Sequence, residues 1–404
     1  MRRHFILLWL ILFTLPAAIY AQQSLEECTV GVAAGKAAVD GRPLLWKNRD
    51  AGSKHNEVVY FKDGRFKYLA LADANSLDSA WAGTNEIGFC IMNSASSDLP
   101  GKNKNGLHNG GFMKRALQQC VTADDFEKLL KETNITGRTT KANFGVIDAF
   151  GGAAFFETGH YSYTRFDATD PQAAPQGYIV RANFAMTGGG DTGRIRYDRG
   201  NQLWQEAIAQ DRLDYRWVLR KAARDMADPN GICYPIPVTG AIKDYPPGTI
   251  YNRDTICRSS TVSVVLFQGV KTDENPSLTT FWVILGEPIF SIAIPCWVIA
   301  ESTAPELDGP EQSPLCAAAL ELRNANYIER GQRRRYIKTE RLNDIWALIY
   351  PVEDRIFDQT EKILYQWRRD YPSSAEVAQF HQAVTRRACR TLLRAREKLR
   401  IQIK

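Results

Sequence analysis

The chain has 404 residues, of which 44% are hydrophobic and 24% charged. That balance excludes a disordered or fibrous chain and leaves room for one large domain or two ordinary ones. The formal charge of +6 is uneven: Pro310 to Lys404 holds 19 Lys and Arg against 12 Asp and Glu, so the body ahead of it is slightly acidic, which speaks against a nucleic-acid-binding core.

In chain order, Met1–His4 is basic, Phe5–Ile19 is apolar and Ile19-Tyr20-Ala21 ends in a small residue. This is the pattern of a cleavable export signal over residues 1–21, with a secreted or periplasmic product starting near Gln22. The apolar run is broken by Pro16 and is short of the roughly 20 residues that span a bilayer. No later stretch reaches that length, so no stable membrane insertion is expected once the signal is gone. Gln22–Glu27 is a short polar piece.

Thr29–Ala34 reads as a strand, Asp40-Gly41-Arg42-Pro43 as a turn, and Leu44–Trp46 as the returning strand. Val58–Phe61 and Phe66–Ala70 flank Asp63-Gly64, a hairpin signal. Trp81–Asn93 reads as strand, turn at Asn85-Glu86, strand. Phe112–Cys120 and Ala123–Lys131 are predicted helices, the second capped by Thr122. Ala142–Ile147 and Ala153–Glu157 form a hairpin around Gly151-Gly152, and Tyr178–Phe184 is a strand. Gly188-Gly189-Gly190 is a turn. Asn201–Gln210 and Tyr215–Met226 are predicted helices, Gly231–Gly248 a long Pro- and Gly-rich loop, and Ser260–Phe267 and Thr280–Leu285 apolar strands. From about Pro310 the pattern turns helical, with Arg333-Arg334-Arg335 read as a solvated helix end. Ser373 and Glu376 give a capping box, and Val377, Phe380, Val384, Ala388 and Leu392 form a packing stripe.

The eight cysteines include no CxxC pair and no His/Cys cluster at zinc spacing. Cys90, Cys120, Cys296, Cys316 and Cys389 read as small buried hydrophobes, and Cys233 with Cys257 as a candidate bridge that the spacing does not prove. Motifs for a serine-hydrolase elbow, a phosphate loop, a zinc protease and a dinucleotide fold are all missing. No metal or organic cofactor is expected. None of the five histidines sits in a dyad pattern.

A hydrolase without a histidine base needs another. The α-amine of a chain terminus, with a pKa near 7.7–8.0, serves when the terminal residue also carries the nucleophile, and a thiol suits that role. Cys28 lies a few residues past the predicted signal and opens the first strand. A cut at Glu27-Cys28 makes residues 22–27 a propeptide.

Four stretches carry a family resemblance. They are Cys28-Thr29-Val30-Gly31 with Asp40-Gly41-Arg42-Pro43-Leu44-Leu45-Trp46-Lys47-Asn48-Arg49-Asp50; Gly83-Thr84-Asn85-Glu86-Ile87-Gly88-Phe89 followed by Asn93; Asn183 at the end of Tyr178–Asn183; and Arg258 in Thr255–Thr261. In this order the chain resembles the choloylglycine-hydrolase and penicillin-acyltransferase-like group of N-terminal-nucleophile hydrolases, from Cys28 to about Val298, with the penicillin-acyltransferase-like branch nearest. Hairpins first, helices between and a basic helical C-terminal extension, 310–404, predict an α+β fold, and the resemblance implies an αββα sandwich over residues 28–309. It implies Cys28 as nucleophile, Asp50 orienting its amine, Asn93 and Asn183 as oxyanion donors, and Arg258 favouring thiolate. Lys47 stands at a substrate-binding position where bile-salt hydrolases carry arginine, a departure that weakens a bile-salt reading. The implied partner is a small-molecule N-acyl amide, hydrolysed or transferred through a thioester. Trp46, Trp81, Phe184 and Tyr234 are either pocket walls or core. The rival readings are a related N-terminal-nucleophile dipeptidase, whose second threonine is missing after Thr29, and an exported binding protein that never processes.

Overall fold

The computed structural model describes residues 27–74, 76–227, 246–330 and 334–401. The expected export signal, most of the expected propeptide, Cys233, Tyr234, Arg333 and most of the Gly231–Gly248 loop lie outside the described residues.

The elements run β1 (Thr29–Ala33), β2 (Leu44–Asp50), β3 (Asn56–Phe61), β4 (Tyr68–Asp73), β5 (Ala82–Asn85), β6 (Cys90–Ala95), α1 (Asn109–Gln119), α2 (Ala123–Thr136), β7 (Ala142–Ile147), β8 (Ala153–Thr158), β9 (Tyr163–Asp167) and β10 (Tyr178–Arg181). They continue with α3 (Arg194–Ala209), α4 (Tyr215–Trp217), β11 (Thr249–Ile250), β12 (Thr261–Gln268), β13 (Thr280–Leu285), β14 (Ile294–Cys296), α5 (Pro314–Asn326), β15 (Tyr327–Arg330), β16 (Arg334–Lys338), α6 (Thr339–Trp367) and α7 (Ser374–Ile401).

Two antiparallel sheets hold the body. One has the order β10-β1-β2-β12-β13-β14, the other is a meander, β3-β4-β5-β6-β7-β8-β9. They pack face to face: β1 and β2 touch β6 and β7, and Val30, Val32 and Leu45 share a core with Leu71, Met92 and Phe155. Side chains alternate along a strand, so the other face of the first sheet must be covered too. Trp46 on that face stacks on Trp204 of α3, ring centroids 5.9 Å apart. Helices α1 and α2 cover the outer face of the meander, Phe112 and Phe126 packing with Phe144 and Phe156. The result is a four-layer αββα sandwich.

Gly31 on β1 lets α3 come this close. A Cβ there would lie 2.7 Å from the Trp204 ring. Gly31→Ala is expected to lower stability by about 1–3 kcal/mol through overpacking, read as a shift in the urea midpoint at unchanged slope.

Local signals explain the helix ends. Thr122 and Asp125 form a reciprocal capping box at α2. At α7, Ser373 Oγ accepts from the Glu376 N–H, 3.2 Å, but the Glu376 carboxylate accepts from Trp367 Nε1, 2.9 Å. Along the stripe Val377, Val384, Ala388 and Leu392 are buried, and Phe380 packs on Trp297 and Trp367.

Three expectations change. The tail is not helical throughout: β15 and β16 form a hairpin that pairs with β11. Ile337 and Tyr336 are buried there, and a five-residue strand beside a basic run leaves little periodicity to read. Arg334 and Arg335 therefore belong to a strand, and Arg335 pairs with Glu329, 2.9 Å. The Tyr215–Met226 helix is one α turn, Tyr215–Trp217, capped by Asp214 and continued as a π turn, Val218–Ala222. Helix α3 begins at Arg194 rather than at Asn201.

Candidate active site

The strand alternation that buries Val30 and Val32 between the sheets gives Cys28, two residues earlier, the same parity, and Cys28 is fully buried. Groups on either side of the peptide joining it to Glu27 are held at three points. The Glu27 N–H donates to the Asp50 carbonyl, 3.0 Å, extending the pairing beside β2. Arg196 Nη1 donates to the Cys28 carbonyl, 2.7 Å, and to Thr29 Oγ1, 3.2 Å. The Glu27 carboxylate is ion-paired with Arg258 Nη2 and lies 3.9 Å from Arg196 Nη2.

Asp50, at the end of β2, is buried. Its Oδ2 accepts from Arg258 Nε and its Oδ1 from Thr261 Oγ1, each 2.6 Å. Thr261 reaches it because β12 pairs with β2 at this point, with a register shift just beyond. Burial pushes the Asp50 carboxyl above its ordinary value, against Arg258, Arg196 and Thr261. Burial also works against the Arg258 charge, but Asp50 and Glu27 outweigh it and hold that guanidinium above its ordinary value. With both carboxylate oxygens accepting hydrogen bonds, the charged pair is the form we assign. Burial pulls the Arg196 guanidinium below its ordinary value, with Asp50, Cys28 and Glu27 opposing.

The two asparagines are each oriented by a cation. Lys47 Nζ donates to Asn93 Oδ1, 2.8 Å, and to the Trp81 carbonyl, 3.0 Å. An ammonium only donates, so the amide oxygen must face it and the NH2 end must point elsewhere. That Nδ2, fully buried, has no hydrogen-bond partner among the described residues. Asn183 Oδ1 accepts from Arg196 Nη2, 2.9 Å, and its Nδ2 donates to the Ala95 carbonyl, 2.9 Å.

A cleft of about 630 Å³ opens beside this cluster. Glu27 and Asn183 line it; Cys28, Lys47, Asp50, Asn93 and Arg258 do not. Lys47 is fully buried, and its ammonium engages Asn93. The cleft wall exposes more apolar than polar surface, but Arg49, Asp73, His108, Lys141 and His160 place polar groups on it. Of the aromatic residues weighed as pocket walls, Trp81 lines the cleft. Trp46 and Phe184 are core, packed on Trp204 and Tyr197. Trp81 also stacks on Arg49, 4.6 Å from guanidinium to ring centroid, and donates to Asp73 Oδ2, 2.9 Å.

The cluster brings Cys28, Asp50, Asn183 and Arg258 together through Arg196, which the sequence reading passed over, and Glu27, read there only as the residue ahead of the cut. Arg196 follows a run of glycines read as a turn, and its helix starts earlier than the apolar period suggests. The one local signal is Gly193, in left-handed backbone at φ 82°. A Cβ there would lie 2.5 Å from Arg196 Nη2. Among the described residues no group of three or more His, Cys, Asp or Glu is placed to hold a metal, and no helix is long and apolar enough to cross a membrane. Cys90, Cys120, Cys257, Cys296, Cys316 and Cys389 are buried thiols, and burial pushes the Cys120 thiol up to about 12.

Fold and site together define a four-layer αββα sandwich with a cysteine leading an inner strand. No protein-family model matches the chain, and no curated protein does. Among solved structures it is similar to a Caenorhabditis elegans ortholog of N-acylethanolamine-hydrolyzing acid amidase, with 14% identity over 62% of this chain and 94% of that one, TM-score 0.41. It is similar to a variant of the conjugated bile acid hydrolase from Clostridium perfringens, with 10% identity over 70% and 94%, TM-score 0.41. It is also similar to penicillin V acylase from Agrobacterium tumefaciens, with 12% identity over 67% and 86%, TM-score 0.41. At these values the likeness carries no inference about activity.

Proposed function

We propose that the chain is an exported C–N hydrolase or acyltransferase for linear amides, working through a thioester on Cys28 after self-cleavage of the Glu27–Cys28 bond. The observation that carries this reading is the setting of Glu27 and Cys28, held on either side of the bond between them by Asp50, Arg196 and Arg258; Asn93 adds a buried amide donor with no hydrogen-bond partner among the described residues. In maturation the Cys28 sulfur attacks the Glu27 carbonyl carbon. The C–N bond breaks, and water then splits the thioester, freeing the Glu27 carboxyl and the Cys28 amine.

In turnover the sulfur attacks a substrate carbonyl carbon. Its proton passes to the Cys28 α-amine, held by Asp50, and on to the leaving nitrogen as the C–N bond breaks. Water, or an acceptor amine, then attacks the thioester carbon and the sulfur regains a proton. The nearby guanidiniums of Arg196 and Arg258 favour negative charge on sulfur. Asn93, and Asn183 with it, donate to the oxyanion, where one such donor is worth about 3–4 kcal/mol.

The direct test is intact mass and N-terminal sequencing of active protein. A terminus at Cys28 is the expected result; activity from protein still carrying residues ahead of it sinks the reading. Lys47 acts here as a positioning residue for Asn93. Lys47→Met is expected to lower kcat by on the order of 10²-fold, with KM little changed, because the amide is then free to turn its oxygen toward the oxyanion. Lys47→Arg should recover part of the loss. A fall in KM-linked terms alone would contradict the assignment.

A further inference from the structure

We propose that the mature site takes an amide whose acyl part carries a carboxylate, seated where the Glu27 side chain now lies. This rests on the reading of Cys28 as a self-exposed nucleophile. In that reading the sulfur attacks the Glu27 carbonyl carbon first and a substrate carbonyl carbon afterwards, at the same place. Glu27 is therefore the acyl part of the first amide this site cuts, and its side chain marks where the side chain of a later acyl group falls.

That side chain does not hang free. Its carboxylate is paired with Arg258 and approaches Arg196 to 3.9 Å, yet it is 40% exposed, turned partly into the cleft. Arg196 and Arg258 are themselves nearly buried, 3% and 10% exposed at the side chain. Before the cut, their two positive charges face two carboxylates, Asp50 and Glu27. Once Glu27 leaves, only Asp50 stays, Arg258 Nη2 loses its acceptor, and a new α-amine adds positive character. A thiolate on Cys28 offsets no more than that amine. Among the described residues the wall beyond offers no replacement anion, because the other carboxylate lining the cleft there, Asp73, is already bound to Arg49, 2.7 Å, and to Trp81. A nearly buried guanidinium N–H that loses its anionic acceptor is costly, so the vacated place favours a carboxylate over an amide or an alkyl group. The chemistry is the one already written: thiolate attacks the acyl carbon, the C–N bond breaks, the amine leaves with a proton, and water releases the acid.

The test uses mature protein whose terminus at Cys28 has been confirmed by intact mass. Initial rates are compared for para-nitroanilides of N-acetylglutamate, joined at the α-carboxyl, and of N-acetylglutamine, N-acetylleucine and decanoic acid. The glutamyl anilide is expected to exceed the others by at least about tenfold in kcat/KM, and the advantage should shrink as salt is raised. Equal or better turnover of the glutaminyl, leucyl or decanoyl anilide overturns the proposal. So does a gain when the carboxylate is moved to the leaving amine. A second measurement does not depend on turnover: N-acetylglutamate should slow alkylation of Cys28 by iodoacetamide while N-acetylglutamine does not, and equal protection refutes the site. A mature terminus elsewhere than Cys28 removes the underlying reading as well, and the intact mass tells that failure apart from a wrong acyl preference.

Discussion

A Cys28→Ala chain is expected to keep the residues ahead of position 28 and to lose amide turnover by on the order of 10⁵-fold or more, the scale seen when a nucleophile acting as part of a unit is removed. Both losses have one cause. The sulfur makes the bond in self-cleavage and in turnover, and without the first step no α-amine exists to move the proton in the second. Folding should be nearly unaffected. Cys28 is fully buried, but removing one sulfur from a site beside Arg196 and Thr29 opens little space, and the carbonyl that accepts from Arg196 belongs to the backbone. The measurement is intact mass beside thermal melting. A variant that melts like the parent, stays unprocessed and is inactive agrees; a variant that processes at the parent's rate shows that another group cuts the chain.

The largest effect on stability should come from Glu353→Ala, on α6. This carboxylate is fully buried and fully used. Oε1 accepts from Arg224 Nη2, 2.7 Å, and the Ala293 N–H, 2.8 Å; Oε2 accepts from Arg224 Nη1, 3.0 Å, and Arg220 Nη2, 2.7 Å. Arg224 in turn donates to the carbonyls of Leu219, Pro288 and Ser291. One side chain from the basic tail thus closes the turn after α4 onto the approach to β14. Truncating it leaves the buried Arg224 guanidinium facing no anion, while Arg220 keeps Asp354, 2.6 Å; the loss is about 3–5 kcal/mol, read as a shift in the denaturation midpoint. Burial pushes the carboxyl up, but Arg224 and Arg220 outweigh it and hold the group below its ordinary value. A depressed carboxyl contributes stability above its unfolded value and loses it as pH falls through the folded value. The gap between parent and Glu353→Ala should therefore narrow on acidification. A gap that is small at neutral pH, or independent of pH, would show that the tail is held by its apolar contacts alone.

The sequence made the strands and their turns legible because those signals are local. Asp40-Gly41 and Asp63-Gly64 dictate turns, and the segments Ala142–Ile147 and Thr280–Leu285 appear as strands with those same bounds. Thr122 caps α2 where its hydroxyl predicts. The α3 start was not legible, because Gly193 and the arginines after it carry no apolar period. The hairpin of β15 and β16 was hidden by its length and by the basic run it contains.

What the chain order fixes by itself is the position of Cys28 at the head of an inner strand, and the hairpins that frame it, because adjacent residues settle backbone conformation. Which side chains meet was decided only by the tertiary fold. Arg196 stands 168 residues from the carbonyl it holds, and Lys47 stands 46 residues from the asparagine it orients. The set of residues that meet at the cleft and the anchoring of the tail through Glu353 belong to the same class. Hydrogen bonds and ion pairs of that reach depend on where two sheets and their helices bring the ends of side chains, and no local pattern records that convergence.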